Sequence, residues 1–463
     1  MLRISILEFR ILKNMDKLII TGGKKLQGTV SVSGAKNVAL KALIAACLTD
    51  EPVTIHNVPL ISDFFIMVEI IKDLGGEVTI KDHTAVIHVK HFAKHELSLE
   101  TAAEVRTSSM FLAPLLVRVG EAIIPNPGGC RLGARPIDRI VDGLQSMGVS
   151  IDYRSEDGYF HAKIASNATG AKKLRGVDYH FSKNTHTGTE TLLIAAVKAS
   201  GKTILENAAE EPEIDELIEL LNNMGAQIMR TAPRRIEITG VEKLHSAEYS
   251  IRPDRNEIVT FAIAALITKG DVFVVGAKVE AIREFLEKLQ EAGGGFEEEE
   301  NGIRFYYKAP LQATSVTTLP YPGFMTDWQA PWAVLMTQAE GESVIHETVF
   351  ENKFGYVVDL KKMGAKVKLF NPEVSSREKT YNFNLADDSP AYFHAAKVTG
   401  PKQLHNGVAT MVDIRAGAAI VLAALAAKGT STIFGVEKLD RGYENFEKRV
   451  EKLGARIERV QEE

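Results

Sequence analysis

The chain has 463 residues, 45% of them hydrophobic, with a formal net charge of −5 and two cysteines. This balance is ordinary for a globular protein, and a net negative chain argues against nucleic acid or an anionic membrane surface as the main partner. Two cysteines exclude a disulfide framework, and no stretch reaches the ~20 uninterrupted apolar residues that a membrane-spanning helix needs.

Met1–Asn14 is part basic and part apolar, is interrupted by Glu8 and Arg10, and is followed by no small-residue cleavage site. It reads as an extension that the fold does not need rather than as a signal peptide. Met15 then opens a strand-like run, Lys17-Leu18-Ile19-Ile20. From there one phrase recurs: a hydrophobic residue, glycine, a small residue and a short alternating strand. Its copies are Leu74-Gly75-Gly76, Met147-Gly148-Val149, Met224-Gly225-Ala226, Ala292-Gly293-Gly294, Met363-Gly364-Ala365 and Leu453-Gly454-Ala455, at steps of 73, 77, 68, 71 and 90 residues. A near-constant step marks a repeated supersecondary unit. The glycine suits a helix C-terminus, where the backbone turns left-handed.

A second phrase keeps the same beat. Apolar runs of helix length lead through a polar turn into a strand over Ala39–Pro59, Ser109–Pro127, Thr191–Ala209, Val259–Ala277, Ala330–Val349 and Ala418–Val436. Each unit thus predicts an all-apolar helix, a strand, an amphipathic helix and another strand. A helix apolar all round should be buried. Length alone suggests about three domains; the repeat instead predicts an α/β fold of two domains with three units each, helices inside and sheets outside. Cys47, within Leu43–Leu48, reads as an inert core thiol, and the acidic run Glu297–Glu300 as a solvated turn.

Cations stand where helices are predicted to begin: Lys36, Arg106, Arg135, Arg255, Arg415 and Arg441. The helix dipole makes a cation there unfavourable by roughly 0.3–1 kcal/mol, so six cases point to a compensating polyanion, which free backbone N–H groups at the same ends would also bind. Pairing with Asp254, Asp413 and Asp440 is the alternative. Asn126–Pro136 places Cys130 among three glycines and two prolines, beside Arg131 and Arg135. That composition predicts an exposed loop and a thiol whose neighbours favour thiolate. No catalytic histidine signature accompanies it.

The segments Ser33–Asn37, Gly128–Asp138, Glu206–Glu213, Pro253–Glu257, Thr326–Ala330, Glu347–Phe354, Asp413–Ala416 and Asp440–Glu444 resemble those of the UDP-N-acetylglucosamine 1-carboxyvinyltransferases, enolpyruvyl transferases of the first committed step of peptidoglycan synthesis. The resemblance runs from Met15 to Val460. It implies two inside-out α/β barrel domains, each of three βαβαββ units. One domain would comprise residues 15–35 and 251–463, the other 36–250, with the ligands in the cleft between them. It implies Cys130 as the proton donor to phosphoenolpyruvate, able to form a covalent adduct, and Asp327 as the base for the sugar 3-hydroxyl. Lys36, Asn37, Arg135, Arg415 and Arg441 would hold phosphoenolpyruvate. Arg106, Arg135, Pro136, Ile137, Asp138, Arg139, Asn184, His186, Thr187, Gly188 and Val349 would hold the UDP-sugar. No metal or cofactor is implied, and the expected setting is the cytoplasm, with roles in cell-wall biogenesis, cell shape and division. On its residues alone, Thr326-Asp327 equally suits the cap of a following helix.

Some positions depart from the family pattern. His186 and Thr187 replace a small and apolar pair, Glu190 adds a negative charge, and Arg139 stands where an apolar residue is common. Glu210 stands where a base is common, Lys353 replaces an arginine, and Asn256 is unusual. These changes gather on the nucleotide side. They leave two alternatives open: an enolpyruvyl transferase with an altered acceptor, and a non-catalytic binding paralogue on the same scaffold.

Overall fold

The six repeated glycines all adopt a left-handed backbone, with φ between 79° and 99°. Each follows the C-cap residue of an amphipathic helix: Ser62–Asp73, Asp138–Ser146, Pro212–Asn223, Arg283–Glu291, Val357–Lys362 and Phe446–Lys452. At the first copy, Gly75 N donates to Lys72 O at 3.0 Å and Gly76 N to Ile71 O at 2.9 Å, the paired closure that satisfies the last helical carbonyls. The computed structural model describes residues 16–126, 137–165 and 173–461. The extension Met1–Asn14 lies outside them, as does the loop residue Cys130 with Arg131, Arg135 and Pro136.

The described chain divides into two compact units, one of residues 16–33 and 253–461, the other of residues 34–252. In the first, three helices are apolar nearly all round: Arg255–Ile267, Gln329–Met336 and Ile414–Ala426. They pack on one another, and every residue of Arg255–Ile267 is buried. In the second unit the equivalents are Lys36–Ala46, Leu112–Val119 and His186–Ala196. Sheets flank these helices with one face inward, as the alternating burial of Asp271–Val275 and Lys202–Glu206 shows. Helices inside and sheets outside is the arrangement the apolar runs predict.

The sheets share one plan. An edge strand pairs in parallel with the next, which pairs antiparallel with the last strand of its unit, and that with the third. Gln27–Ser31, Asp271–Val275, Gly302–Tyr306 and Gly295–Glu299 run in this order. In the sheet of Glu121–Pro125 the parallel edge is reduced to one bridge, Glu96 to Ile123. The final unit is completed from the other end of the chain: Lys17–Thr21 lies between Thr430–Phe434 and Arg456–Val460, antiparallel to both. The acidic run corrects one expectation. Glu297–Glu299 lie in an edge strand, and only Glu300 enters the turn; an exposed charged edge of this kind resists pairing with another chain.

Candidate active site

Predicted ligand-holding residues of the second unit stand at the first turns of its buried helices. Lys36 opens Lys36–Ala46, with Asn37 next to it. The preceding Gly34 is packed so closely on Asn57 O that a Cβ would lie 1.8 Å from it, which explains glycine at this approach. Lys36 is buried, its Nζ 2.6 Å from Oδ2 of buried Asp63, a partner whose only sequence signal is a carboxylate amid Ile61–Phe65. Arg106 opens the 3-10 turn Arg106–Phe111, which packs against both Lys36–Ala46 and His186–Ala196. Ile137 caps the helix that Asp138 and Arg139 begin, and that helix also packs on His186–Ala196. Asn184 is buried and donates through Nδ2 to Asn207 O and Ala208 O, at 3.3 and 3.2 Å. Thr185 caps the next helix by accepting from Gly188 N at 3.2 Å, so His186, Thr187 and Gly188 form its first turn. The structure thus gathers these residues on neighbouring elements.

The first unit repeats the design. Asp254 Oδ1 accepts from Asn256 N and Glu257 N, and Asp413 Oδ1 from Arg415 N and Ala416 N, both at 2.9 Å. These carboxylates therefore cap helices, while Asp440 pairs with Arg459. Arg415 is buried, with its Nε 3.6 Å from Asp327 Oδ1 and its guanidinium carbon 5.3 Å from the Tyr443 ring centroid. Burial works against the charge of Arg415, but Tyr443, Asp327 and Asp254 outweigh it and raise its pKa above the ordinary value. The N-cap positions of Thr326–Trp328 and Gln329–Met336 fall on Met325 and Trp328, so Asp327 does not occupy the cap position that its sequence also suits. Tyr443, which hydrogen-bonds Thr260 Oγ1 at 2.8 Å, was not singled out by sequence reasoning although it lies in the Asp440–Glu444 segment.

One placement differs from expectation. Arg441 stands at the C-terminal cap of Val436–Asp440 rather than at a helix start, where the dipole favours a cation. Val349 lies in a loop organised by Glu347, a residue the sequence analysis did not single out. Its Oε1 accepts from Val349 N and Phe350 N at 2.9 and 3.1 Å, and its Oε2 accepts from Thr326 Oγ1 at 2.9 Å. Burial raises the Glu347 pKa, against the pull of Lys353 and these donors.

Residues 20–450 match the family EPSP synthase (3-phosphoshikimate 1-carboxyvinyltransferase). In overall fold the chain is similar to the enolpyruvyl transferase NikO of Streptomyces tendae, with a TM-score of 0.84 at 22% identity over 97% of this chain and 100% of that one. An EPSP synthase of Acinetobacter baumannii aligns with a TM-score of 0.71 at 18% identity over 96% and 100%. A UDP-N-acetylglucosamine 1-carboxyvinyltransferase of Lawsonia intracellularis is 42% identical over 452 residues, 97% of this chain and all of the relative. Its counterpart in Desulfatibacillum aliphaticivorans is 40% identical over 446 residues, 96% of this chain and all of that protein. The chain belongs to the UDP-N-acetylglucosamine 1-carboxyvinyltransferase family.

In this member of the UDP-N-acetylglucosamine 1-carboxyvinyltransferase family, the positions read as departures from the family pattern have the following surroundings. Glu190 is fully buried, 3.4 Å from Lys41 Nζ and 3.6 Å from His186 Nε2. Burial pushes its pKa up to about 8, with Lys41 pulling the other way. Glu210 pairs with Arg234 at 3.1 Å. Asn256 Oδ1 accepts from Trp328 Nε1 at 3.1 Å, joining Arg255–Ile267 to the 3-10 turn that precedes Gln329–Met336. Lys353 is buried, with Nζ 4.8 Å from the Phe350 ring centroid and no hydrogen-bond partner among the described residues. A lysine in this position forms a point contact where arginine would present a planar fork.

Proposed function

We propose that this transferase moves the enolpyruvyl group of phosphoenolpyruvate to the 3-hydroxyl of UDP-N-acetylglucosamine and releases phosphate. Cys130 protonates C3 of phosphoenolpyruvate, and the sugar oxygen bonds to C2 as Asp327 takes its proton. Loss of a C3 proton then restores the double bond as the C2–O bond to phosphate breaks. Lys36, Asn37, Arg135, Arg415 and Arg441 hold phosphoenolpyruvate and stabilise the departing phosphate. Arg106, Pro136, Ile137, Asp138, Arg139, Asn184, His186, Thr187, Gly188 and Val349, with Arg135 again, hold the sugar nucleotide. The observation that carries this reading is the Asp327 carboxylate 3.6 Å from buried Arg415: a partly exposed candidate base held beside a fixed cation.

Both substrates are phosphorylated small molecules, and the reaction belongs in the cytoplasm at the start of peptidoglycan synthesis, with consequences for cell shape and division. Phosphate release from phosphoenolpyruvate and UDP-N-acetylglucosamine tests it. Wild type should turn over and be inactivated by fosfomycin through Cys130, while Cys130→Ala should lose the reaction. Turnover unchanged in Cys130→Ala removes the proposed acid, and wild-type protein inert with both substrates removes the reaction. The buried Glu190 beneath His186 favours a second reading in which the nucleotide is held differently; isothermal titration of UDP-N-acetylglucosamine addresses it, and absence of binding at millimolar concentration would count for an altered acceptor.

A further inference from the structure

One hairpin is far longer than its counterparts, the next longest having the four residues 155–158 between Arg154 and Tyr159. Asp82 and His83, Pro233 and Arg234, and Glu300 and Asn301 form two-residue turns in three units. In the fifth unit, residues 371–394 stand between Phe370 and Ala395, although those two residues are directly paired partners. This excursion accounts for the 90-residue step in the sequence. The excursion holds only the short turns Arg377–Thr380 and Leu385–Asp387, and long connections with little secondary structure of their own are uncommon inside compact domains.

The segment folds back onto its own unit. His394 N donates to Asn371 Oδ1 at 2.8 Å, closing its neck. Tyr381 and Phe383 are buried and stacked, with centroids 5.0 Å apart, and Tyr381 meets the edge of His346 at 5.7 Å. Asp388 accepts from His394 Nε2 at 3.1 Å and pairs with Arg377. Two backbone bonds then reach the loop that carries Val349: Asn382 N donates to Thr348 O at 2.8 Å, and Glu347 N donates to His394 O at 2.7 Å. Through its carboxylate, Glu347 fixes Val349 N and also Thr326, the neighbour of Asp327.

We propose that residues 371–394 are a brace that sets the position of the 347–353 loop and so determines which sugar nucleotide is accepted, with Tyr381 and Asn382 as its positioning residues. The proposal rests on the reaction proposed above. A two-residue turn would close the paired strands, so the extra chain is not needed for the hairpin. Its contacts converge on Glu347 and Thr348 at the start of that loop, and Glu347 also holds Thr326 beside the candidate base, where a displacement of about 1 Å can cost about 10²-fold in rate.

The test uses the full-length protein with residues 371–394 replaced by Asn-Gly, and in parallel Tyr381→Ala and Tyr381→Phe. Discrimination is read as kcat/KM for UDP-N-acetylglucosamine over that for UDP-N-acetylgalactosamine, and the loop as amide exchange across residues 347–353. Replacement and Tyr381→Ala should lower discrimination about tenfold and speed exchange about tenfold, with KM for phosphoenolpyruvate within about twofold of wild type, while Tyr381→Phe restores wild-type behaviour. Unchanged discrimination in a folded variant overturns the proposal whatever the exchange shows. If the replacement does not fold, Tyr381→Ala decides. Wild-type protein that releases no phosphate removes the underlying reaction; exchange then judges the brace separately, and unchanged exchange in Tyr381→Ala ends it.

Discussion

Oδ1 of Asp327 stands 3.6 Å from Nε of Arg415, and the arginine is buried while the carboxylate is partly exposed. This geometry leaves the carboxylate reachable and the cation fixed. Asp327→Asn should lower kcat about 10²–10⁴-fold, the range for loss of a positioned acid or base, with little change in KM for phosphoenolpyruvate. Steady-state phosphate release checks it, and an Asp327→Asn enzyme with wild-type kcat would rule out the base. Arg415→Lys should lose activity as well, because the amine keeps the charge but not the planar fork.

The Lys41–Glu190 pair makes a second, thermodynamic prediction. Glu190 has its folded-state pKa raised from 4.5 to about 8. The folded state therefore holds this proton more tightly than the unfolded chain, so the Glu190 contribution to stability is full below about pH 4.5 and is lost as pH rises toward 8. Glu190→Gln should flatten this decline in urea titrations between about pH 5 and 8. Above about pH 8, where Glu190 is ionised, Lys41→Leu strands a buried carboxylate and should cost about 3–5 kcal/mol. Lys41→Leu combined with Glu190→Leu should recover most of the loss, and additive costs would show that the two charges are not coupled.

The repeated glycines separate backbone strain from crowding. At Gly454, with φ of 99°, a Cβ would meet nothing closer than 3.7 Å, whereas at Gly225, with φ of 97°, it would fall 2.6 Å from His245 Nε2. Gly454→Ala should cost about 1–2 kcal/mol from the left-handed backbone alone, and Gly225→Ala should cost more unless His245 swings away. Chemical denaturation of the two variants gives the comparison, and equal losses would mean that the imidazole moves freely.

Cys47 is fully buried, its Sγ donates to Leu43 O at 3.3 Å, and burial pushes its pKa up to about 12. A water-soluble alkylating agent at neutral pH should leave it unmodified in the native protein and label it after denaturation, because the thiolate is the reactive form. Peptide mass mapping reads both states. Rapid native labelling of Cys47 would mean that the core opens far more readily than its packing implies.

Much of this architecture was legible in local chemistry. The glycine phrase announces helix ends because a left-handed residue must follow the last turn, and the all-apolar runs announce burial. The pairing of Lys17–Thr21 with strands at the far end of the chain has no local signature; the family resemblance, not the periodicity, led to the expectation that this strand joins the C-terminal half. Arg441 was misplaced because Asp440-Arg441-Gly442 reads equally as a start or a stop. Glu190 stands out in sequence as an added charge and Lys41 does not, and only packing reveals that they share one buried space. The 90-residue step signalled extra chain but not which hairpin contained it.

The strand Lys17–Thr21 has a consequence for biosynthesis. It leaves the ribosome before residues 34–252, yet both of its neighbours, Thr430–Phe434 and Arg456–Val460, are made after them. Residues 34–252 emerge as one uninterrupted stretch and can finish folding during translation, while this strand waits with two open hydrogen-bonding edges. That interval is when a nascent chain is most exposed to wrong partners, so a permuted gene that moves this strand to follow residue 461 should shorten the wait and raise soluble yield.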